Sequence, residues 1–241
     1  MTFKIETAML MAAGLGKRMR PLTATRPKPL IRVGGRALMD HALDRIEEAG
    51  IRRTVVNVHY LAGAIEAHLA ARARRTGADY VISDERETLL ETGGGLVKAL
   101  PLIGDQPFLC AASDNIWING PRDSIKALAA RWDPAIMDAL LLMIPHARAT
   151  GHKGPGDFHM DGLGRISRRK PGRIAPFVFT TVQILSPSLI VDPPSEHFST
   201  NIFWDRAIAA GRAYGFVHSG LWFDVGTPEA IPLVESAIAG A

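Results

Sequence analysis

The sequence predicts an α/β fold, a sheet covered by helices on both faces, and three observations lead there. Apolar runs of strand length alternate with segments of helical period along most of the chain. Several runs, such as Ala139–Ile144, are apolar throughout, as strands buried on both faces require. The length, 241 residues, suits one large domain with at most a modest insertion.

The elements follow in order. Ala8–Ala13 is a short apolar run ending at Gly14 and reads as the first strand. Arg36–Ala49 reads as a helix because Leu38, Ala42, Leu43, Ile46 and Ala49 share one face, and Gly50 ends it. Thr54–Val58 is β-branched and reads as a second strand. Ile65 and Leu69 mark the next helix, with Arg72, Arg74 and Arg75 near its end, where cations suit the helix dipole. A strand at Tyr80–Ile82, a helix from Gly95 to Leu100 and a strand at Phe108–Ala112 come next. They are followed by a helix at Pro121–Arg131 and the strand Ala139–Ile144. From Pro145 the texture changes: His146 to Arg173 is rich in glycine, arginine and histidine, which predicts a hairpin-like insertion or lid within 145–197. Phe177–Leu185 returns to strand composition, Phe198–Ala210 reads as a helix and Leu221–Val225 as a strand. Pro228–Ala239 closes the chain as a helix with proline in its first turn. The prediction is thus a single domain over 1–241, with 145–197 as an insertion within it.

Composition narrows the class. Hydrophobic residues make up 47% and charged residues 22%, a globular balance, and the net charge of +4 suits polyanionic ligands. No nucleic-acid-reading motif is present, so nucleic acid is not an expected partner. Cys110 is the only cysteine, so an intrachain disulfide is excluded, and its apolar neighbours make it a small core residue rather than a reactive thiol. No run of ~20 apolar residues and no signal-type segment is seen, so no membrane span is expected and the cytoplasm is the expected location.

The most informative stretch is Leu10-Met11-Ala12-Ala13-Gly14-Leu15-Gly16-Lys17-Arg18-Met19-Arg20-Pro21-Leu22-Thr23. A strand opens into a loop with two glycines, followed by three cations within five residues. Glycines let backbone N–H groups approach a phosphate, and arginines add bidentate donors; a basic surface turn is the plainer alternative. A Walker loop is excluded because Arg18 follows Gly16-Lys17, and a dinucleotide fingerprint because Met19 stands where its third glycine belongs. Pro27-Lys28-Pro29-Leu30 then sets a lysine between two residues of fixed φ, a rigid mount for an ammonium group or an ordinary proline-rich loop.

Together these two segments resemble the signature of the sugar-nucleotidyltransferase superfamily. The resemblance implies a Rossmann-like, doubly wound mixed sheet with a small sugar-binding insertion. It implies a loop, Ala12, Ala13, Gly14 and Gly16, that holds a nucleoside triphosphate, with Arg18 and Lys28 as the catalytic cations on its phosphates. Three later segments match the same pattern. Glu91-Thr92-Gly93-Gly94-Gly95-Leu96 would place Thr92 and Gly93 against the base, with Glu85 reading it and Asp84 as competitor. Ala112-Ser113-Asp114-Asn115 makes Asp114 a magnesium ligand, although relatives carry glycine at Ser113. Trp222-Phe223-Asp224-Val225-Gly226-Thr227-Pro228-Glu229 makes Asp224 the second carboxylate on Mg2+, with Thr227 and Glu229 as helix cap and first-turn acid.

Asn115, Asp157, Lys170 and Thr180 are the residues the resemblance assigns to the sugar. Relatives often have Glu-Lys-Pro where this chain has Arg169-Lys170-Pro171, so the acidic contact is missing, and a solvated basic face competes for Lys170. Thr180-Thr181 stands where relatives have a small residue and glycine. His146, His152 and His159 lack ligand-like spacing and are assigned no chemistry. Glu91–Gly95, Lys98–Asp105 and Gly156-Asp157-Phe158 resemble the branch of the superfamily that transfers a uridylyl group from UTP to N-acetylmuramic acid 1-phosphate in cell-wall recycling. A mannose or heptose 1-phosphate guanylyltransferase is the alternative, and a regulatory subunit on this fold is the non-enzyme alternative. A monomer or small homo-oligomer is expected.

Overall fold

The computed structural model describes residues 3–240; the ends of the predicted domain, residues 1, 2 and 241, lie outside the described residues. The first half runs β1 (Thr7–Met11), the short strands β2 (Arg32–Val33) and β3 (Arg36–Ala37), α1 (Leu38–Glu48), β4 (Arg53–Val58), α2 (Ala62–Thr76), β5 (Asp79–Asp84) and α3 (Glu91–Ile103). Next come β6 (Phe108–Ala112), β7 (Asn115–Ile118), α4 (Ser124–Arg131), β8 (Ala139–Pro145) and β9 (Ala149–Thr150). The remainder is β10 (Phe158–Met160), β11 (Ile166–Arg168), β12 (Phe177–Leu185), α5 (Asn201–Ala209), β13 (Ala213–Val217), β14 (Leu221–Asp224) and α6 (Ala230–Ala239).

The main sheet has the order β11-β10-β12-β6-β1-β4-β5, with β8 paired to β12 and β13 paired to β8. Strands β5, β4, β1 and β6 are parallel, as are β8 and β13, whereas β12 runs antiparallel to β6 and β8. Alternate side chains of each strand enter opposite cores, the period-two consequence of a pleated strand. Leu10, Val56, Leu109, Leu140 and Leu142 pack with α1, α2 and α4. Met9, Val55, Cys110, Leu141 and Met143 pack with α3 and α5. These parallel and central strands had to be apolar throughout because both faces are covered.

The strand order turns back on itself at β1: β4 and β5 extend one way, and β6 returns to its other side. Such a reversal opens a crevice at the carboxyl ends of the two flanking strands. A smaller sheet, β7-β14-β9, lies beyond that end, and its register sets Asp224 opposite Asn115.

The structure corrects several expectations. The helix expected from Pro121 starts at Ser124, where Asp123 accepts a hydrogen bond from the Lys126 N–H and so ends the preceding loop. The helix expected from Gly95 starts at Glu91 and continues through Pro101 to Ile103. The last helix starts at Ala230 rather than Pro228, and its N-terminus carries no side-chain cap bond, so Thr227 is not its cap. Arg72 is not a solvated dipole partner but a buried residue bonded to Asp40, Asp44 and Glu47. Strands β7 and β13 were not foreseen. In β13, Gly215 interrupts the apolar run because a Cβ there would lie 2.0 Å from Met143 Cε. The segment after Pro145 contains the antiparallel hairpin β10–β11, which extends the main sheet at its β12 edge.

Candidate active site

A cavity of about 260 Å³ occupies the crevice at the carboxyl ends of β1 and β6. Met11, Ala12, Ala13 and Gly14 form one wall, and Ala112, Ser113 and Asp114 continue it. Lys28 and Pro29, Asn57 and Glu85, and Leu89, Glu91 and Thr92 close the remainder.

The loop after β1 is held by few but specific bonds. The Ala12 N–H donates to Asn57 Oδ1 at 2.7 Å, fixing the strand exit. Gly16 adopts φ +61°, and a Cβ there would lie 2.9 Å from Lys28 Cβ, so only glycine lets the Pro27–Leu30 turn close on this loop. Thr23 Oγ1 donates to Gly16 O at 2.9 Å and pins the same approach. The effect is to bury Lys28 and aim its ammonium at Asp114, 2.8 Å from Nζ to Oδ2.

Asp224 joins this pair from the smaller sheet. Burial pushes its carboxyl above the usual carboxylate range, and the negative charge of Asp114 pushes it further; Lys28, Arg18 and His152 pull the other way. A methyl group added at Gly226 would meet both Arg18 Nη1 and Asp224 Oδ1 at 3.3 Å, so the exposed Arg18 guanidinium and Asp224 converge there. Arg18, Lys28, Asp114 and Asp224 are thus brought together, Lys28 and Asp114 lining this cavity and Arg18 and Asp224 a separate one. Among the described residues no group of three histidines, cysteines or carboxylates forms a closed metal cage. The two carboxylates fit instead a hard cation that completes its shell with substrate oxygens and water. Their mutual repulsion marks a place where positive charge is needed; beside it Asn115 donates Nδ2 to Asp114 Oδ1, while its own buried Oδ1 has no partner among the described residues.

The opposite end is built on Glu85, fully buried. Its Oε1 accepts from Asn57 Nδ2 at 2.8 Å and its Oε2 from the Leu90 N–H at 3.4 Å. Burial raises its pKa, while the bonds from Asn57 and Leu90 work against that rise. Asp84 points elsewhere, onto Arg86. The three glycines opening α3 admit close neighbours. A Cβ at Gly93 would strike the Phe198 ring at 2.4 Å, one at Gly94 the Glu196 carbonyl at 2.0 Å, and one at Gly95 Glu85 Oε1 at 2.8 Å. Gly93 N–H donates to Phe198 O, and Thr92 Oγ1 accepts from the Thr200 N–H, so this corner is tied to the segment before α5.

The residues assigned to the sugar do not gather. Asn115 lies beside Asp114, with Nδ2 3.3 Å from its Oδ1. Asp157 spends one carboxylate oxygen on the Phe179 N–H at 2.9 Å. Thr180 is fully buried, its hydroxyl donating to Leu142 O and its carbonyl accepting from Trp222 Nε1, so it faces the core. Lys170 is exposed on the turn after β11, where Arg169 bonds to the carbonyls of Gly156, Lys170 and Arg173. That need for a donor accounts for an arginine at position 169.

Two residues of the site escaped the sequence reading. Asn57 bridges the β1 exit to Glu85; its only signal was a polar side chain inside the β-branched run Thr54–Val58. His152, dismissed on spacing, lines a separate cavity of about 270 Å³ with Arg18, Lys153 and Asp224. Its proximity to Asp224 arises from the pairing of β9 with β14, which no local pattern reveals.

A crevice at a strand-order reversal, a glycine loop beside it and paired lysine and carboxylates together define a phosphate-handling α/β protein. The chain belongs to the nucleotidyl transferase family, whose model, "Nucleotidyl transferase", matches residues 7–152. It is 44% identical over 237 residues to the N-acetylmuramate alpha-1-phosphate uridylyltransferase of Caulobacter vibrioides, covering 98% of each chain. A protein of the same name from Neisseria meningitidis is 32% identical over 225 residues, 91% of this chain and 93% of that one. In fold, the chain superimposes on the inositol-1-phosphate CTP transferase from T. maritima with a TM-score of 0.78 at 16% identity, covering 99% of this chain and 97% of that one. Among the described residues no helix is long and apolar enough to cross a membrane.

Proposed function

We propose that this chain transfers a uridylyl group from UTP to N-acetylmuramate α-1-phosphate, releasing pyrophosphate, with Mg2+ as cofactor. The observation that supports it most directly is the Lys28–Asp114 pair, 2.8 Å apart at the end of a cavity walled by the glycine loop. The likeness to the two uridylyltransferases supports the choice of nucleotide and sugar.

In the reaction a phosphate oxygen of the sugar attacks the α-phosphorus of UTP. The bond from that phosphorus to the β-phosphate bridging oxygen breaks, and pyrophosphate leaves with the electron pair. A phosphate monoester is already largely dianionic at neutral pH, its second pKa being ~6. No general base is required, and no histidine is given one's task. The protein must hold two anions in line and offset charge on the leaving group. Lys28 is fixed for the reacting phosphates, and the exposed Arg18 reaches the outer phosphates. Ala12, Ala13, Gly14 and Gly16 keep the loop backbone close to the triphosphate, while Glu85, Thr92 and Gly93 border the base. Asp114 and Asp224 hold the magnesium ion, which when bound neutralises phosphate charge. Asn115, beside Asp114, and Asp157 and Lys170, in the 145–197 insertion of the single domain, are offered to the sugar; Thr180 supports β12 from the core.

Pyrophosphate release measured for four nucleoside triphosphates against a panel of sugar 1-phosphates tests the proposal. UTP with N-acetylmuramate α-1-phosphate is expected to give the highest kcat/KM. A preference for GTP with mannose 1-phosphate would replace this assignment by a guanylyltransferase, and no release with any pair would leave a non-catalytic subunit.

A further inference from the structure

Outside the proposed active site lies a second, polar cavity of about 610 Å³. It shares a wall with the first. Lys28 and Pro29 face the cavity at β1, whereas Arg26 and Leu30, on either side of them, face this one. The turn between them is closed by two backbone bonds, Leu30 N–H to Pro27 O at 2.9 Å and Ile31 N–H to Lys28 O at 3.0 Å.

The charges lining this cavity do not cancel. Its two carboxylates, Asp40 and Asp44, are already committed within the wall. Arg72, buried, donates to Asp40 at 3.1 Å and to Asp44 at 2.5 Å, Arg36 pairs with Asp44, and His68 bonds to Asp40 at 2.8 Å. Arg26, Arg32 and Arg75 also line the cavity, and none of their guanidinium groups has a side-chain partner among the described residues. They come from three separate segments: the loop before Pro27, strand β2 and the last turn of α2. The β2–β3 hairpin that carries Arg32 is itself fixed. Gly34 and Gly35 turn it at φ +59° and +76°, and the Gly34 N–H donates to Glu235 Oε1 at 2.8 Å.

Free guanidinium groups over a polar hollow suit phosphate, which they bind bidentately. Their separation over three segments, in a hollow larger than one phosphate fills, favours a ligand with two anionic ends. We propose that this cavity is a second anion-binding site for a small molecule bearing two phosphate groups, and that its occupancy acts on the Pro27–Leu30 turn that carries Lys28. The effect on catalysis rests on the reading of Lys28 given above; the site itself does not. Bridging Arg26 and Arg32, which flank the turn, would hold it in one arrangement, and a ligand shifts such an equilibrium only through contacts it gains in that state.

The test uses a hexose bisphosphate as probe, with inorganic phosphate as comparison at equal ionic strength. Calorimetry is run on the wild type, the Arg32→Ala/Arg75→Ala double variant and Lys28→Ala, and hydrogen exchange follows the amides of residues 28–31. The bisphosphate is expected to bind the wild type about tenfold more tightly than phosphate does, to weaken about tenfold in the double variant and to persist in Lys28→Ala. It is expected to slow exchange in the turn and to change wild-type turnover about threefold, leaving the double variant at the basal wild-type rate. Binding lost in Lys28→Ala but kept in the double variant would place the anion in the active site and overturn the proposal. So would binding equal to that of phosphate, or binding without protection of the turn. A protein without transferase activity that still binds through Arg32 and Arg75 defeats only the function proposed above. An active enzyme without that binding defeats only this site.

Discussion

Lys28 Nζ and Asp114 Oδ2 lie 2.8 Å apart although 86 residues separate them in the chain. The pair spans the crevice between the loops that follow β1 and β6, so it depends on the strand order rather than on any local motif. Lys28 has no other side-chain partner among the described residues, and it is buried, which leaves the ammonium few places to go. If it serves the reacting phosphates, Lys28→Ala should lower turnover by roughly 10²–10³, the usual effect of losing one preorganised electrostatic contact. Asp114→Ala should abolish turnover at every magnesium concentration while the circular-dichroism spectrum stays native. Steady-state kinetics of both variants provide the check. An unchanged rate in either removes that residue from the mechanism.

The glycines of α3 separate two kinds of damage. A methyl group at Gly94 would meet the Glu196 backbone carbonyl at 2.0 Å, so Gly94→Ala should lower thermal stability by about 1–3 kcal/mol through overpacking. At Gly95 the methyl group would meet Glu85 Oε1 at 2.8 Å and Asn57 Nδ2 at 3.1 Å, the pair that closes the cavity. Gly95→Ala should therefore raise KM for the nucleotide about tenfold, since a displacement worth ~1.4 kcal/mol is one decade of affinity. A thermal melt and a KM measurement on each variant distinguish the two sites. Equal KM in Gly95→Ala and wild type would detach Glu85 from nucleotide binding.

Asp40 gives the stability a defined pH dependence. Burial works to raise its pKa, but the hydrogen bond and charge of His68, followed by those of Arg72, hold it below the ordinary carboxylate value. A carboxyl depressed by folding contributes stability that is present above the unfolded-state pKa of ~3.9 and is lost as pH falls through the folded-state value. Asp40→Asn should cost about 2 kcal/mol at pH 7, the scale of a hydrogen bond to a charged group. The difference from wild type should shrink below pH ~4. Urea titrations at pH 7, 5 and 3.5 measure it; a difference that stays constant across the three would show that the carboxylate charge is not what matters.

What the sequence revealed and what it hid follow one physical division. The covered sheet was legible because strands buried on both faces must be apolar throughout, as Ala139–Pro145 is, and because Leu38–Glu48 repeats its apolar residues at helical spacing. The glycine loop and Pro27-Lys28-Pro29 were legible because backbone geometry restricts which residues serve there. Strand β13 stayed hidden since Gly215 breaks its pattern for the sake of Met143 on the neighbouring strand. Arg72 looked like a solvated cation because its three carboxylates lie on α1, a different helix. His152 and Asp224 approach only through the β9–β14 pairing. Contacts between distant segments leave little trace in local pattern, and the Lys28–Asp114–Asp224 end of the site is made of such contacts.

Cys110 offers a test of the core that does not depend on catalysis. It lies in the middle of β6, fully buried, and burial pushes its thiol up to about 12, with a hydrogen bond from Gln183 pulling slightly the other way. The thiolate is the reactive species, so at pH 8 only about one molecule in 10⁴ would be in reactive form even if a reagent could reach it. Its neighbours are Met9 on β1 and Gln183 on β12, paired directly across the sheet, so access requires separating strands of the central sheet rather than moving a loop. The native protein at pH 8 should therefore resist a disulfide-exchange reagent for hours, while in guanidinium one thiol per chain reacts within minutes. Because exchange must wait for opening of the sheet, the native labelling rate should rise in Gly94→Ala exponentially with its lost stability, about tenfold for each ~1.4 kcal/mol. Rapid stoichiometric labelling of the native wild type would mean that the β1–β6–β12 register, and with it the placement of Asp114 against Lys28, is wrong.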